Sequence, residues 1–231
     1  RPVSKYGNRR MNFEEHAAKP LLAAAGIAVP EGGVATSASE AHARAATIGP
    51  CVVKAQVPTG KRGKAGGIAL ANTADEAATE AERILALEIA GFPVKSLHIE
   101  QQVPIAKEFY AAVLNDSDSK GPLLLFSSEG GMEIEEIAAN HPDKLLRMPV
   151  DIRHGLDGAA LEKSLPAIDG VSAKDMAGVL AKLYQAYCDN DAELLEINPL
   201  VATTDGRIIA LDCKFSLDDS AIRRHADLAK S

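Results

Sequence analysis

The chain has 231 residues, 46% of them hydrophobic and 25% charged, with a net charge of −7 and a pI near 5.4. That length and apolar content suit one large domain or two small lobes with a real core, and the acidic balance excludes a general nucleic-acid surface, which needs a basic face. No apolar run approaches the ~20 residues needed to span a bilayer, and the three scattered cysteines, Cys51, Cys188 and Cys213, predict free thiols in a reducing compartment rather than a disulfide framework or a zinc site.

Residues 1–10 carry four cations and no acid, and read as an expression scar or frayed tail; the end of a cleaved organelle-targeting segment would share that composition. Asn12-Phe13-Glu14-Glu15 predicts an N-cap with an acid at N3, opening a helix to about Ala25 that stops at Gly26, with Pro20 kinking or splitting it. A second helix is expected over Ser39 to Ile48, closed by Gly49-Pro50, and a strand over Cys51 to Val57. After a glycine-rich loop, Ile68 to Ala71 reads as a strand. Thr73-Ala74-Asp75-Glu76 is a capping box whose helix is expected to reach Ala90, before Gly91. Strands follow at Leu97 to Val103, Glu108 to Leu114 and Leu123 to Phe126, the last two joined by a turn at Asp116 to Gly121. Ser127 to Gly131 is a loop, Met132 to Ala139 a short helix, Leu145 to Val150 a strand, and Gly155 to Ile168 irregular or weakly helical. Ser172 caps an amphipathic helix in which Met176, Val179, Leu180, Leu183, Tyr184 and Tyr187 repeat at helical spacing, the signature of a core-facing stripe. Beyond Lys214 the chain turns polar and is expected to end in a loop and a helix. The mixture of hairpins, single strands and helices predicts an α+β architecture in two lobes.

Two stretches carry chemistry. In Val53-Lys54-Ala55-Gln56-Val57 a lysine sits inside an apolar strand, where an unpaired ammonium is expensive and so needs an anionic partner. Gly60-Lys61-Arg62-Gly63-Lys64-Ala65-Gly66-Gly67 follows, and glycines let backbone amides approach phosphate oxygens closely. A polyphosphate site fits both features. The spacing is not the Walker pattern, and a strand rather than a helix follows, which argues against a P-loop NTPase. The plainer alternative is a basic hairpin turn beside a snorkelling lysine.

The second stretch is a hairpin. Glu193 to Val201 and Arg207 to Lys214 flank Thr204-Asp205-Gly206, a three-residue loop with Gly206 in the left-handed position. In that register Asn198 faces Asp212 and Glu196 faces Lys214. All four then share one face, with Leu195, Ile197, Ile209 and Leu211 on the other. Two carboxylates and a carboxamide on one sheet face offer the hard oxygen ligands that magnesium takes together with phosphates and water. A solvated face with one cross-strand ion pair is the alternative.

With these residues in view, the chain resembles the ATP-grasp portion of the succinyl-CoA synthetase (succinate–CoA ligase) β-subunit family, which includes malate–CoA ligase, the ADP-forming acyl-CoA synthetases and the front part of ATP-citrate lyase. The matching pieces are Met11-Asn12 with Glu15 and Ala18-Lys19, Val53 to Val57, Arg62 to Gly67, Ala106 to Tyr110, Ser128 to Glu135, Leu195 to Val201, and Leu211-Asp212 with Lys214. They occur in order over Met11 to about Asp227. One departure stands out: the family usually has Gly-Gly-Arg-Gly where this chain has Gly60-Lys61-Arg62-Gly63.

The resemblance implies an ATP-grasp fold over 11–231, with a small lobe at about 28–104, a larger one formed by about 11–27 and 105–227, and the nucleotide cleft between them. It implies that Lys54 contacts the nucleotide phosphates and that Lys61, Arg62, Gly63 and Lys64 form the phosphate-covering loop. Glu100, Gln101 and Val103 lie in the inter-lobe connector that reads the adenine edge, and Glu108 holds the ribose. Asn198 and Asp212 hold Mg2+ on the phosphates, and Glu196 is the acid near an incoming phosphohistidine. The implied reaction transfers the γ-phosphate of ATP (expected over GTP) to a histidine on a separate α subunit, which with CoA and a carboxylic acid completes acyl-CoA formation. Neither nucleic acid nor membrane is an expected partner, and the expected location is cytoplasmic, or the mitochondrial matrix in a eukaryote. The family's β subunits continue into a second α/β domain, so a chain ending at Ser231 is expected to be an isolated domain, a proteolytic core or a split subunit that binds nucleotide without full ligase turnover. The rival readings are a stand-alone carboxylate–amine ligase and a non-catalytic nucleotide-sensing module.

Overall fold

A computed structural model describes residues 11–60, 62–226 and 228; the reading of residues 1–10 as a tail and the position of Lys61 lie outside the described residues. The chain enters as β1 (Met11–Phe13) and turns directly into α1 (Glu15–Ala24). Asn12 is therefore a strand residue and not the helix cap. Its register partner is Ser216, whose hydroxyl donates to Asn12 Oδ1 at 2.6 Å, and Phe13 packs on Phe215 with ring centroids 4.9 Å apart. These long-range pairings outweigh a local cap. Pro20 neither splits nor ends α1: it forfeits a single N–H, while Ala18 and Leu22 on the inner face are fully buried.

The small lobe comprises β2 (Gly32–Ala35), α2 (Ala38–Ile48), β3 (Cys51–Gln56), β4 (Ile68–Ala71), α3 (Ala74–Leu85), the hairpin β5 (Glu88–Ile89) and β6 (Phe92–Pro93), and β7 (Ser96–Gln101). Its sheet has the order β2-β7-β3-β4. Ser37 and Thr73 cap the two helices by accepting the N–H groups of Glu40 and Glu76. α3 stops at Leu85, well short of Ala90, because Ala90 and Gly91 both take positive φ (51° and 84°) and make the two-residue turn of a hairpin. Period two divides β3 cleanly. Cys51, Val53 and Ala55 enter the core under α2 and α3, and Lys54 and Gln56 face the other way, toward the second lobe.

The larger lobe adds β8 (Ile105–Asp116), β9 (Gly121–Ser127), α4 (Ile134–Asn140), β10 (Leu145–Pro149), α5 (Gly158–Ser164), α6 (Ala173–Asp189), β11 (Ala192–Thr203), β12 (Ile208–Ala210) and β13 (Cys213–Leu217). Its antiparallel sheet runs β1-β13-β11-β8-β9-β10, with β12 on the far part of β11. The core on one face joins Leu22 of α1, Leu161 of α5 and Met176, Leu180 and Leu183 of α6 to Phe109, Phe126 and Phe215, each burial contributing about 1.5–3 kcal/mol. The other face is covered over β8 and β9 by α4, through Ile137 on Tyr110, Ala112 and Leu125. The polar turn expected after Lys214 starts only after Leu217, since Phe215, Ser216 and Leu217 are buried between β1 and β11. Among the described residues no helix is long and apolar enough to cross a membrane.

Candidate active site at the lobe junction

α1 belongs to the larger lobe but presents Glu15 and Lys19, one turn apart, to the cleft face of the small sheet. Lys54 Nζ donates to Glu15 Oε1 at 2.9 Å, to Glu100 Oε2 at 2.6 Å and to the Leu211 carbonyl at 2.7 Å, which uses all three protons of the ammonium. Lys19 Nζ lies 2.9 Å from Glu15 Oε1 and pairs with Glu100 Oε1. Arg62 reaches in from the glycine loop: Nη1 donates to the Ala55 carbonyl at 2.9 Å and sits 2.8 Å from Glu15 Oε2, and Nη2 donates to Asp212 Oδ2 at 2.7 Å. Lys19, Lys54 and Arg62 thus balance Glu15, Glu100 and Asp212 charge for charge across the lobe junction.

Burial alone would raise the Glu15 carboxyl, but Lys54, Lys19 and Arg62 hold it well below the ordinary carboxylate range. Glu100 is lowered on the same pattern, with burial opposed by His98, Lys54 and Lys19. Desolvation is likewise outweighed at Lys54, where Glu15, Glu100 and Asp212 keep the ammonium above its usual value. Asp212 moves the other way: burial and the neighbouring Glu15 raise it against Arg62 and Lys54. The anionic partner that a lysine in this strand requires is therefore supplied by the protein's own carboxylates in this conformation. A phosphate reaching Lys54 must take over at least one of these hydrogen bonds.

The glycine loop is folded onto itself, with Gly66 N–H on the Gly63 carbonyl at 3.1 Å and Gly67 N–H on the Arg62 carbonyl at 2.9 Å. Gly63 and Lys64 are exposed, while Arg62 is buried. Glu100 is the penultimate residue of β7, its side chain inside the ionic cluster. β7 ends at Gln101, and the N–H groups of Gln101 and Gln102 are bound to the Glu31 and Pro50 carbonyls. Glu108 is exposed on β8, beside the Gly130–Gly131 loop.

The hairpin has the expected register. Glu196 pairs with Lys214, and Leu200 with Ala210, Gly206 has φ +85°, and Asn198 and Asp212 lie opposite each other where the ladder is interrupted. Proline has no N–H for the ladder, which accounts for the break at Pro199. The two side chains have different hydrogen-bond partners, however. Asp212 turns to Arg62 at the junction, whereas the Asn198 carboxamide accepts the Gly131 N–H at 3.0 Å through Oδ1 and donates to the Met132 carbonyl at 2.8 Å. Asn198 instead lines a cavity of about 410 Å³ with Tyr110, Glu133, Glu196 and Lys214. There the Tyr110 hydroxyl donates to Glu196 Oε2 at 2.8 Å. Burial raises the Glu196 carboxyl, and Tyr110 and Lys214 pull it back.

Among the described residues no group of three or more His, Cys, Asp or Glu side chains is arranged to hold a metal. Asp212 and Asn198 provide one carboxylate and one carboxamide oxygen. That donor set fits magnesium, which completes its octahedron with phosphates and water, and does not fit a metal held by protein alone. Both oxygens currently accept hydrogen bonds from glycine loops, Asp212 from Arg62 and Asn198 from Gly131.

Residues without an assigned role in the sequence reading complete the site. Glu15 and Lys19 belong to the pieces that carry the resemblance but have no role from it, and acid–base pairs at i,i+4 spacing are common on solvated helices. Gln56 accepts the His16 N–H at 3.0 Å and so ties α1 to β3. Gly130 packs against β8, where a Cβ would lie 2.5 Å from the Glu108 carbonyl carbon.

A model of the ATP-grasp domain matches residues 12–202. The chain is 44% identical over 223 residues to the β subunit of succinate–CoA ligase [ADP-forming] of Chloroflexus aurantiacus, covering 95% of this chain and 59% of that protein. It is 43% identical over 230 residues to the β subunit of succinate–CoA ligase [GDP-forming] of Thermus thermophilus, with the same coverages. The chain thus spans about three-fifths of the length of these relatives. In fold it is similar to ATP citrate lyase from Methanothrix soehngenii solved with citrate and coenzyme A (TM-score 0.75, 23% identity, 96% of this chain and 54% of that one). It is also similar to the dinucleotide-forming acetyl-coenzyme A synthetase 1 of Ca. Korarchaeum cryptofilum solved with coenzyme A and Ca-AMPCP (TM-score 0.72, 21% identity, 91% and 95%).

Proposed function

The chain belongs to the ATP-grasp domain family, and from that footing we propose that it is the nucleotide-binding part of an acid–CoA ligase β subunit. In this reading it binds ATP with Mg2+ between a small lobe at about 28–104 and a larger lobe formed by about 11–27 and 105–227. It exchanges the γ-phosphate with a histidine on a partner α subunit, which carries the CoA site. The acid is succinate-like, by similarity to the succinate–CoA ligase β subunits. The relatives include ADP-forming and GDP-forming ligases, so the preference for ATP over GTP rests on this proposal alone. The location that goes with this reading is cytoplasmic, or the mitochondrial matrix in a eukaryote; the free thiols Cys51, Cys188 and Cys213 support it.

The observation that carries the reading is the junction where Lys54 of β3, Arg62 of the glycine loop and Asp212 after β12 meet across the two lobes. The cations there serve phosphate by exchange. When nucleotide enters, Arg62 leaves Asp212 for the phosphates, and Lys54 trades a carboxylate or carbonyl for a phosphoryl oxygen. Gly63, the exposed Lys64 and the neighbouring Lys61 cover the phosphates from the loop. Glu100 stays below as the counter-charge that keeps Lys54 ionised, Gln101 and Val103 lie along the base, and Glu108 meets the ribose. Asp212 and Asn198, freed from Arg62 and Gly131, would hold magnesium, which supplies charge neutralisation on the phosphates. Glu196 faces the cavity by which the acceptor histidine would arrive. The chain's contribution is positioning and electrostatic stabilisation of the transferring group.

Transfer of label from γ-32P ATP to a histidine of a co-expressed partner subunit tests this. Labelling that depends on Lys54 supports it. Absence of any labelled partner, with hydroxamate formed by the chain alone, replaces it with a ligase that makes an acyl phosphate unaided.

A further inference from the structure

We infer that Tyr110 is a positioning residue for phosphoryl transfer, acting through the Glu196 carboxylate; the inference rests on the function proposed above. Tyr110 lies on β8 two residues before Ala112, the register partner of Glu196, so the two side chains are diagonal neighbours on one face of the sheet. That diagonal lets the phenol reach across, and its hydroxyl donates to Glu196 Oε2 at 2.8 Å. The ring is only 1% exposed, packed among Ala112, Leu125 and Ile137, so it cannot swing away from its acceptor. The cavity beside it opens on Glu196, Asn198, Lys214 and Glu133.

The arrangement has a chemical consequence. Glu196 sits opposite Lys214, and its rotamer would otherwise be free to follow that exposed cation along the face. A hydroxyl on Oε2 fixes the carboxylate plane and leaves Oε1 for an incoming donor. In the transfer, the bond from the γ-phosphorus to the β–γ bridging oxygen breaks and its electron pair leaves with ADP. A bond forms from phosphorus to one nitrogen of the acceptor imidazole. The other nitrogen keeps its proton, and the positive charge that develops on the ring is met by Glu196. A carboxylate held in one orientation stabilises that charge better than one that must be reoriented during the step. Burial and the neighbouring Glu196 also raise the phenol far above its ordinary range, so it remains a donor throughout.

A double-mutant cycle on the full β chain assembled with its partner subunit tests the inference. Tyr110→Phe keeps the buried ring and removes only the hydroxyl. The expected result is about a tenfold fall in the single-turnover rate of phosphohistidine formation with the nucleotide KM unchanged, and no further fall when Tyr110→Phe is added to Glu196→Gln. Equal losses in both backgrounds, a matching rise in nucleotide KM, or no loss at all would overturn it. Failure of the wild-type assembly to phosphorylate the partner while still binding ATP would instead defeat the underlying function, and the inference with it.

Discussion

Arg62 Nη2 donates to Asp212 Oδ2 at 2.7 Å across 150 residues of sequence, joining the glycine loop of one lobe to the hairpin of the other. Arg62 is 7% exposed and its second nitrogen is bound to the Ala55 carbonyl and set against Glu15. A guanidinium here does for Asp212 what a divalent cation would do: it neutralises a carboxylate whose burial otherwise favours the protonated form. At Lys54 the carboxylates of Glu15 and Glu100 likewise supply the counter-charge.

Removing Arg62 should therefore free Asp212, the carboxylate proposed above to hold magnesium. In the absence of nucleotide, Arg62→Ala is expected to bind Mn2+ severalfold more tightly than wild type, while losing roughly tenfold in affinity for the magnesium–ATP complex. Electron paramagnetic resonance of free Mn2+ and calorimetry with nucleotide read the two effects separately. Unchanged metal affinity would show that the guanidinium does not compete for Asp212.

Lys54→Ala should strike both stability and binding. It strands Glu15 and Glu100 as buried carboxylates short of a cation, at a cost of about 3–5 kcal/mol. Thermal melts should show a lower midpoint without ligand, and no upward shift on adding magnesium and ATP. A preserved shift would count against Lys54 as a phosphate ligand.

The cluster also fixes a pH signature. Glu15 and Glu100 have folded values held below the ordinary carboxylate value of 4.5, so each contributes stability that is present above that value and lost as pH falls through the folded one. Asp212 has the opposite sign: its folded value is raised from 3.8, so its contribution is present in acid and lost as pH rises through the folded value. The two lowered groups should dominate below pH 4.5. Urea midpoints are expected to fall steeply on acidification, and Glu15→Gln, less stable at neutral pH, should show a flatter acid limb. Parallel limbs would remove Glu15 from the account.

At the second glycine loop, Gly130→Ala should be the harsher of two neighbouring changes. A Cβ at Gly130 would meet the backbone of Glu108 and Phe109, which cannot retreat, for about 2–3 kcal/mol. At Gly131 the new atom would lie 2.5 Å from Glu108 Oε2, a movable side-chain end, and the strain comes from φ +70°. Equilibrium unfolding of the two variants gives the order. Equal losses would mean that the loop sits less tightly on β8.

Much of this was legible in one dimension. The α6 stripe with its Ser172 cap, the β3 lysine, the hairpin turn at Gly206 and the pairing of Glu196 with Lys214 are all local patterns, set by side-chain period and by the φ that glycine permits. The start of α1 and the end of α3 were misread for one reason: Asn12 and Gly91 carry cap signals that other pairings claimed, β1 with β13 in one case and a β5–β6 hairpin in the other.

By itself the sequence determined which residues are chemically equipped and on which strand face each lies, because side chains alternate along an extended backbone. Only the tertiary structure decided who meets whom. Glu15 and Lys19 became the counter-ions of Lys54 because α1 crosses to the small lobe, and Asn198 and Asp212, opposite in register, look toward different neighbours because separate glycine loops hold them. Ionic partners are chosen by three-dimensional proximity under desolvation, and no spacing along the chain encodes that.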